Sequence, residues 1–362
     1  MSGGLDSTTL AASAHYVLSR RSGDSGVCAF TTSYQGYEQE GEYAGLVAKS
    51  LGIPIRFQGW NSDRIDPEWY SGTFHTPEPV PYPTNLAAGM ADFRETASYS
   101  RVALYGEGPD NALSYEWRSY IGYLLRHKRW RRLLYDLGTH AVLHRRVPLL
   151  SSIPRLIWQW QVERDFDAAP FFPDWFNPQF EKSLQLRTRW EQLRLDPHFA
   201  HPFRPRGYAS FDQPLWQAML ESFDVAQTGS PLEVRHPFLD LRILRFLLAI
   251  PALPWCRSKY IMRRTMRGVL PEPVLRREKA PLVRDAWQER VMERGLPSLD
   301  PTCTLDRYID TKRLMRTPVR APANFWIDFR TRSLNYWLRN NESLEKQPQQ
   351  EESKWNVLTS AK

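Results

Sequence analysis

The segment Gly106-Glu107-Gly108-Pro109-Asp110-Asn111 places two carboxylates on a loop whose glycines let a ligand approach the backbone. Near the start of the chain, Ser2-Gly3-Gly4-Leu5-Asp6-Ser7-Thr8 combines adjacent glycines, three hydroxyls and one carboxylate. Turn N–H groups and hydroxyls of this kind wrap an anion, and a helix beginning near Asp6 would aim its positive end at the same point. No lysine follows the glycines, so this is not the GxxxxGK[ST] nucleotide loop. Two carboxylates beside a phosphate suit Mg²⁺, which takes one or two carboxylates together with substrate phosphates, and Asp6 with Asp110 fit that role. Glu107 would then face the reacting centre. Each loop alone is also compatible with a plain solvent-exposed turn, so the elements around them decide.

Those elements read as βαβ units up to about residue 110. Val27 to Tyr34 has the composition of a strand, Glu42 to Leu51 that of a helix ended by Gly52, and Ile53 to Phe57 that of a second strand. A helix around Asn85 to Tyr99 leads into a third strand at Arg101 to Tyr105, and Gly106 follows at once. The acidic loop thus sits at the carboxyl end of a strand, where parallel sheets bind ligands. Beyond residue 110 the strand signals fade. Leu215, Trp216, Met219, Leu220 and Phe223 share a helical face, and a mostly helical second half is expected. The stretch from Pro148 to Phe211, rich in proline and aromatics, reads as long loops, and the polar run from Asn340 as a disordered tail.

Two further motifs are Glu233-Val234-Arg235-His236-Pro237-Phe238-Leu239-Asp240 and Lys259-Tyr260-Ile261-Met262-Arg263, the latter running on to Leu270-Pro271-Glu272-Pro273-Val274-Leu275-Arg276-Arg277-Glu278-Lys279. In order and spacing, SGGLDS, GEGxD, E-V-R-x-PFLD, KY-x-x-R and LP-x-x-V-x-x-R-x-K resemble the synthetase domain of glutamine-dependent asparagine synthetases. The β-lactam synthetases and lasso peptide cyclases share this signature. The resemblance implies an α/β fold with a parallel-sheet PP-loop ATP pyrophosphatase core of the HUP type, lacking its first strand, at residues 1–125. A mostly helical part at 126–340 would complete the cleft, and 341–362 would be the tail.

It also implies an activity. A substrate carboxylate attacks the α-phosphorus of ATP, pyrophosphate leaves, and ammonia or an amine then displaces AMP. By family match, Ser2, Gly3, Gly4, Asp6 and Ser7 form the pyrophosphate loop, Gly106 approaches the nucleotide, and Thr31 to Ser33, with Thr32 at the centre, contact adenine through the backbone. Lys279 would stabilise charge on the phosphates, Glu107 would accept a proton, and Asp224 would be a further active-site acid. ATP and Mg²⁺ are the cofactors implied, with Asp6 and Asp110 as metal donors. Glu233, Arg235 and Asp240 are read as structural charges bracing the wall of the cleft.

The match also has departures. The family's amino-terminal glutaminase domain has no counterpart here, and Ser2 stands where its nucleophilic cysteine would be. On this sequence the amine is expected to be free ammonia, to come from a separate glutaminase chain, or to be carried by the substrate, as in a β-lactam or lasso-type cyclase. Asn111 and Val225 replace an acidic and a basic family residue, which leaves the carboxylate open between aspartate and a peptide side chain. A non-catalytic relative is the rival from a different class. The loop at Ser2 is preceded by Met1 alone, so the first strand is expected to lie upstream of this sequence or to come from another chain.

Composition narrows the remaining classes. The 362 residues carry a net charge of +8 and three cysteines too far apart to imply a disulfide framework or a zinc cluster. The cysteines are read as buried thiols. The basic cluster Arg126 to Arg132 is read as a solvated helix face, and a nucleic-acid partner is disfavoured by the PFLD and R-x-K motifs. No apolar run reaches the length of a membrane span and no signal sequence opens the chain, so a cytoplasmic protein with no membrane partner is expected.

Overall fold

The computed structural model describes residues 1–34, 38–60, 74–80, 86–146, 172–195, 201–278, 299–316, 327 and 329–342. Its elements follow the expected alternation closely at first: helix α1 (Leu5–Ser22), strand β1 (Ala29–Tyr34), α2 (Glu38–Leu51), β2 (Ile55–Trp60), α3 (Leu86–Tyr99) and β3 (Val102–Leu104). Gly52 ends α2 in the left-handed region at φ 67°. Past β3 come the short α4 (Pro109–Ala112), then α5 (Trp117–Arg126) and α6 (Trp130–His144), and one more strand, β4 (Glu233–Arg235), among helices. The chain is α/β with helices dominating.

Among the described residues the strands form two separate parallel pairs. In the first, β1 and β2 run in register from Ala29 opposite Ile55 to Tyr34 opposite Trp60. In the second, β3 and β4 pair Val102 with Glu233 and Leu104 with Arg235. The amide of Ala29 bonds Pro54 O at 2.9 Å, so the alternating backbone groups of Phe30 point to the opposite edge of β1. Met1 lies there. Its amino group donates to Phe30 O, and Thr31 Oγ1 donates to Met1 O at 2.6 Å. Met1 thus occupies that edge of β1.

The expected loops between Pro148 and Phe211 are corrected in part. Residues 147–171 and 196–200 lie outside the described ones, but Pro178–Leu184, Leu186–Leu195 and Pro205–Phe211 are helices. Pro178 and Pro205 stand in the first turn, where no N–H is required, and the Asn177 side chain caps the amides of Gln179 and Phe180 at 2.8 and 3.4 Å. Residues 340–342, expected in the tail, are helical, and residues 343–362 lie outside the described ones. Residues 329–342 are helical, with Trp337 Nε1 donating to Thr76 O at 2.8 Å and Asn340 Nδ2 to Phe74 O at 3.1 Å. Of the three free thiols only Cys256 is buried; Cys28 is half-buried and Cys303 exposed.

Two apolar clusters position the two glycine-containing loops. Ala12, Val47, Leu270, Val274 and Leu275 form one, and Ala112, Leu113, Leu247, Ile250, Cys256 and Met262 form the other. Leu5 packs against both, so the side chain between Gly4 and Asp6 ties the amino-terminal loop to each half of the core. No helix of the described residues is long and apolar enough to cross a membrane.

Candidate functional site

The amino-terminal loop is a compact turn. Gly3 takes φ 66°, and a Cβ there would come within 2.6 Å of Glu40 O and 2.7 Å of Tyr43 Cβ, so the close approach of α2 requires glycine. Ser7 Oγ lies 3.2 Å from Ser2 Oγ and accepts from the Ser2 amide at 3.1 Å; Thr8 Oγ1 donates to Gly4 O at 2.8 Å. Gly4 precedes α1 with no side-chain cap, and Asp6 stands in the first turn. The hydroxyls and the positive end of α1 therefore surround one point.

The acidic loop meets this turn directly. A Cβ on Gly106 would lie 3.2 Å from Ser7 N and 3.3 Å from Asp6 C, while one on Gly108, at φ 118°, would lie 3.0 Å from Leu239 Cδ2. The GEG loop is thus pressed between the SGG loop and the PFLD segment, and three of the sequence motifs converge. Arg277 extends the convergence. Its guanidinium lies 3.6 Å from Glu40 Oε1 and over the Tyr43 ring at 4.7 Å, beside the part of α2 that touches Gly3. Lys279 is outside the described residues, as is the side chain of Thr32.

Lys259 is the residue whose place the sequence did not reveal. Its ammonium bonds Asp6 Oδ2 and also lies 2.7 Å from Asp110 Oδ1, bridging the two carboxylates read as metal donors. Burial, then the charges of Asp6 and Asp110, raise the Glu107 carboxyl above its ordinary value, and Lys259 opposes them. Glu107, Asp6, Asp110 and Lys259 therefore form one electrostatic cluster. Asp6 and Asp110, one from each loop, suit a magnesium ion that keeps waters and phosphate oxygens, and among the described residues no group of three or more His, Cys, Asp or Glu side chains forms a fuller metal cage.

The backbone that presents Lys259 is unusual. Ser258 and Lys259 both stand in the left-handed region, at φ 47° and 55°. Non-glycine residues hold such angles when the surroundings over-determine them. Lys259 N donates to Cys256 O at 3.0 Å, and Arg263 Nε to Ser258 O at 2.7 Å. The same guanidinium donates to Leu275 O and, at 2.8 Å, to Arg277 O, so Arg263 ties the Lys259 turn to the segment that runs on to Lys279.

Arg204, fully buried, completes the support. It donates to Ala112 O at the end of α4, to Ile250 O at 3.0 Å and to Cys256 Sγ at 3.1 Å, and its Nε lies 3.3 Å from Glu116 Oε1. Glu116 in turn accepts from Ser114 Oγ at 2.8 Å and from the amides of Arg206 and Gly207 at 2.7 and 2.9 Å. One guanidinium thus fixes both the helix that carries Asp110 and the turn that leads to Lys259.

Asp224 lies elsewhere. It precedes the one-turn helix Val225–Thr228 and lines a cavity of about 620 Å³ with Phe223, Leu220, Arg101 and His236. Tyr105, the residue before Gly106, contacts both Phe223 and His236, with ring centroids 4.8 and 5.9 Å away. Glu233, Arg235 and Asp240 each belong to a close charge pair, and Glu233 also lines that cavity. Glu233 and Arg235 pair with each other at 2.7 Å on the exposed side of β4, and Asp240 caps the next helix and pairs with Arg242.

The sequence profile of the asparagine synthase family matches residues 1–351. A stretch of 66 residues is 36% identical to asparagine synthetase [glutamine-hydrolyzing] 3 of Bacillus subtilis (strain 168), covering 17% of this chain and 11% of that protein. The matched stretch is therefore a small part of the relative's length. The family profile, by contrast, runs through the serine-glycine loop, the GEG loop and the Lys259 turn that the fold brings together, and the chain belongs to the asparagine synthase family.

Proposed function

We propose that the protein is an ATP-dependent, AMP-forming amide ligase. The observation that carries this reading is the contact of the Ser2–Ser7 loop with the Gly106–Asp110 loop around the Lys259 ammonium. The loop's amides, the hydroxyls of Ser2 and Ser7 and the positive end of α1 bind the pyrophosphate portion of ATP. Asp6 and Asp110 are the residues that would hold Mg²⁺, which supplies charge neutralisation on the phosphate oxygens when bound.

The substrate carboxylate oxygen attacks the α-phosphorus, the bond to the pyrophosphate oxygen breaks, and pyrophosphate leaves with that electron pair. Lys259, and Lys279 by its family position, are cations suited to the charge that develops on the leaving group. Ammonia or an amine then attacks the acyl carbon and AMP departs. Glu107, on the loop beside Asp6 and Asp110, accepts the proton lost from the attacking nitrogen in this reading. The support for a second reading within this chemistry, a ring-closing ligase acting on a larger carboxylate, is the cavity behind Tyr105, whose walls include Val102, Leu220, Phe223 and Leu232.

The test is pyrophosphate release from ATP with aspartate, with larger carboxylates, and with ammonia or amines, products being separated as AMP or ADP. Carboxylate-dependent AMP and pyrophosphate are expected. ADP formation, or no turnover with any carboxylate from a chain shown to bind ATP, would overturn the reading.

A further inference from the structure

Asp6 and Asp110 reach the same point from opposite ends of the amino-terminal half, and the group bonded to both there is a side chain. Lys259 Nζ bonds Asp6 and sits 2.7 Å from Asp110 Oδ1. Its side chain is 15% exposed, so the ammonium is largely withdrawn from water and held by carboxylates. Glu107 adds a third acidic group whose ionisation is opposed by Asp6 and Asp110 and favoured by Lys259. Without this cation three acids would face each other across two loops that touch at Gly106 and Ser7.

The turn that delivers Lys259 is built to hold it there. Two consecutive non-glycine residues in the left-handed region, Ser258 and Lys259, are fixed by Cys256 O on one side and Arg263 on the other. Cys256 is itself held by Arg204, which also fixes the end of α4 beyond Asp110. The distance between Lys259 and Asp110 is therefore set by one buried guanidinium, and backbone strain at an unsupported surface lysine would have no such scaffold.

We propose that Lys259 is a positioning residue: an internal counter-cation that holds Asp6 and Asp110 together, and with which a divalent metal ion competes for those two carboxylates. The proposal rests on reading Asp6 and Asp110 as metal donors in the ligase site. A metal ion that takes the two carboxylate oxygens releases the ammonium, which is then free to turn toward the phosphates that accompany the metal. Binding of metal alone is opposed by the resident cation, and binding of metal with nucleotide is favoured because the phosphates give the displaced ammonium a partner.

The experiment uses the full chain without nucleotide and Mn²⁺ as the probe, with bound ion read by electron paramagnetic resonance. Lys259→Met is expected to bind Mn²⁺ at least about tenfold more tightly than the wild type, and adding Asp110→Asn to abolish that gain. Unchanged or weaker Mn²⁺ binding by Lys259→Met overturns the proposal. Should that variant not fold, the wild type carries the test through trace acetylation of lysines read by mass spectrometry. Mg²⁺ is expected to raise modification of Lys259 several-fold relative to Lys128, an exposed lysine on the turn between α5 and α6. No rise at Lys259 overturns the proposal equally. Pyrophosphate release with unmoved metal binding and labelling would sink this inference alone, and the reverse pattern would sink the ligase reading alone.

Discussion

At the scale of single residues, the site depends on atoms that are missing as much as on those present. Gly3 lets α2 approach within a distance that a side chain forbids, and Gly106 lets the two loops meet where a side chain would crowd them. Gly3→Ala adds a methyl group against backbone and Cβ atoms and in a left-handed conformation, so it is expected to lower stability by about 1–3 kcal/mol and to abolish nucleotide binding. Urea unfolding and a fluorescent-nucleotide titration would check both effects. Gly106→Ala puts a methyl group 3.2 Å from Ser7 N and 3.3 Å from Asp6 C, so the two loops must part by a few tenths of an ångström, and it is expected to weaken ATP binding with a smaller loss of stability than Gly3→Ala. These glycines were legible in the sequence because a turn's chemistry is local. Lys259 was not, although its motif was: only the fold shows that its ammonium lies between Asp6 and Asp110, residues 253 and 149 positions away.

At the scale of elements, the buried pair of Arg204 and Glu116 joins α4, the helix start at Pro205 and the segment ending at Cys256. Removing one member leaves an uncompensated buried charge, and Arg204→Ala is expected to cost about 3–5 kcal/mol, read as a lower denaturant midpoint. Arg204→Lys keeps the charge but not the planar fork, so it should recover part of the stability and little of the turnover. An equal recovery of both would show that Arg204 does nothing for the site beyond folding. Arg204 was invisible beforehand because the prolines around it read as loop; Pro205 in fact opens a helix. Asn177 followed by Pro178 was a legible start signal of the same kind. The strand and helix order up to Leu104, by contrast, was readable from the alternation of short β-branched or aromatic runs with stretches of helical spacing.

At the scale of the whole molecule, charge burial sets the response to acid. His140 on α6 is fully buried, with Nε2 3.2 Å from Tyr115 Oη and 3.4 Å from Arg257 Nη1, and the His144 ring lies tilted beside it with centroids 4.5 Å apart. Burial, then the His144 and Arg257 charges, lowers its pKa from 6.5 to about 4. The unfolded chain takes up this proton first as pH falls, so the contribution of neutral His140 is complete above pH 6.5 and is lost progressively toward pH 4. The loss is on the order of 3 kcal/mol. His140→Gln is expected to flatten this part of the melting-temperature profile between pH 7 and pH 4 while other acid-sensitive groups keep theirs. An unchanged slope would remove His140 from the account.

Met1 on the far edge of β1 has a consequence for solvent contact of the backbone. The register with β2 turns the amides of Thr31 and Ser33 inward to their partner strand and those of Thr32 and Tyr34 outward. Deuterium uptake along this strand should therefore alternate, slow at Thr31 and Ser33 and fast at Thr32 and Tyr34. Any strand that later docks on that edge would erase the alternation and report its own arrival.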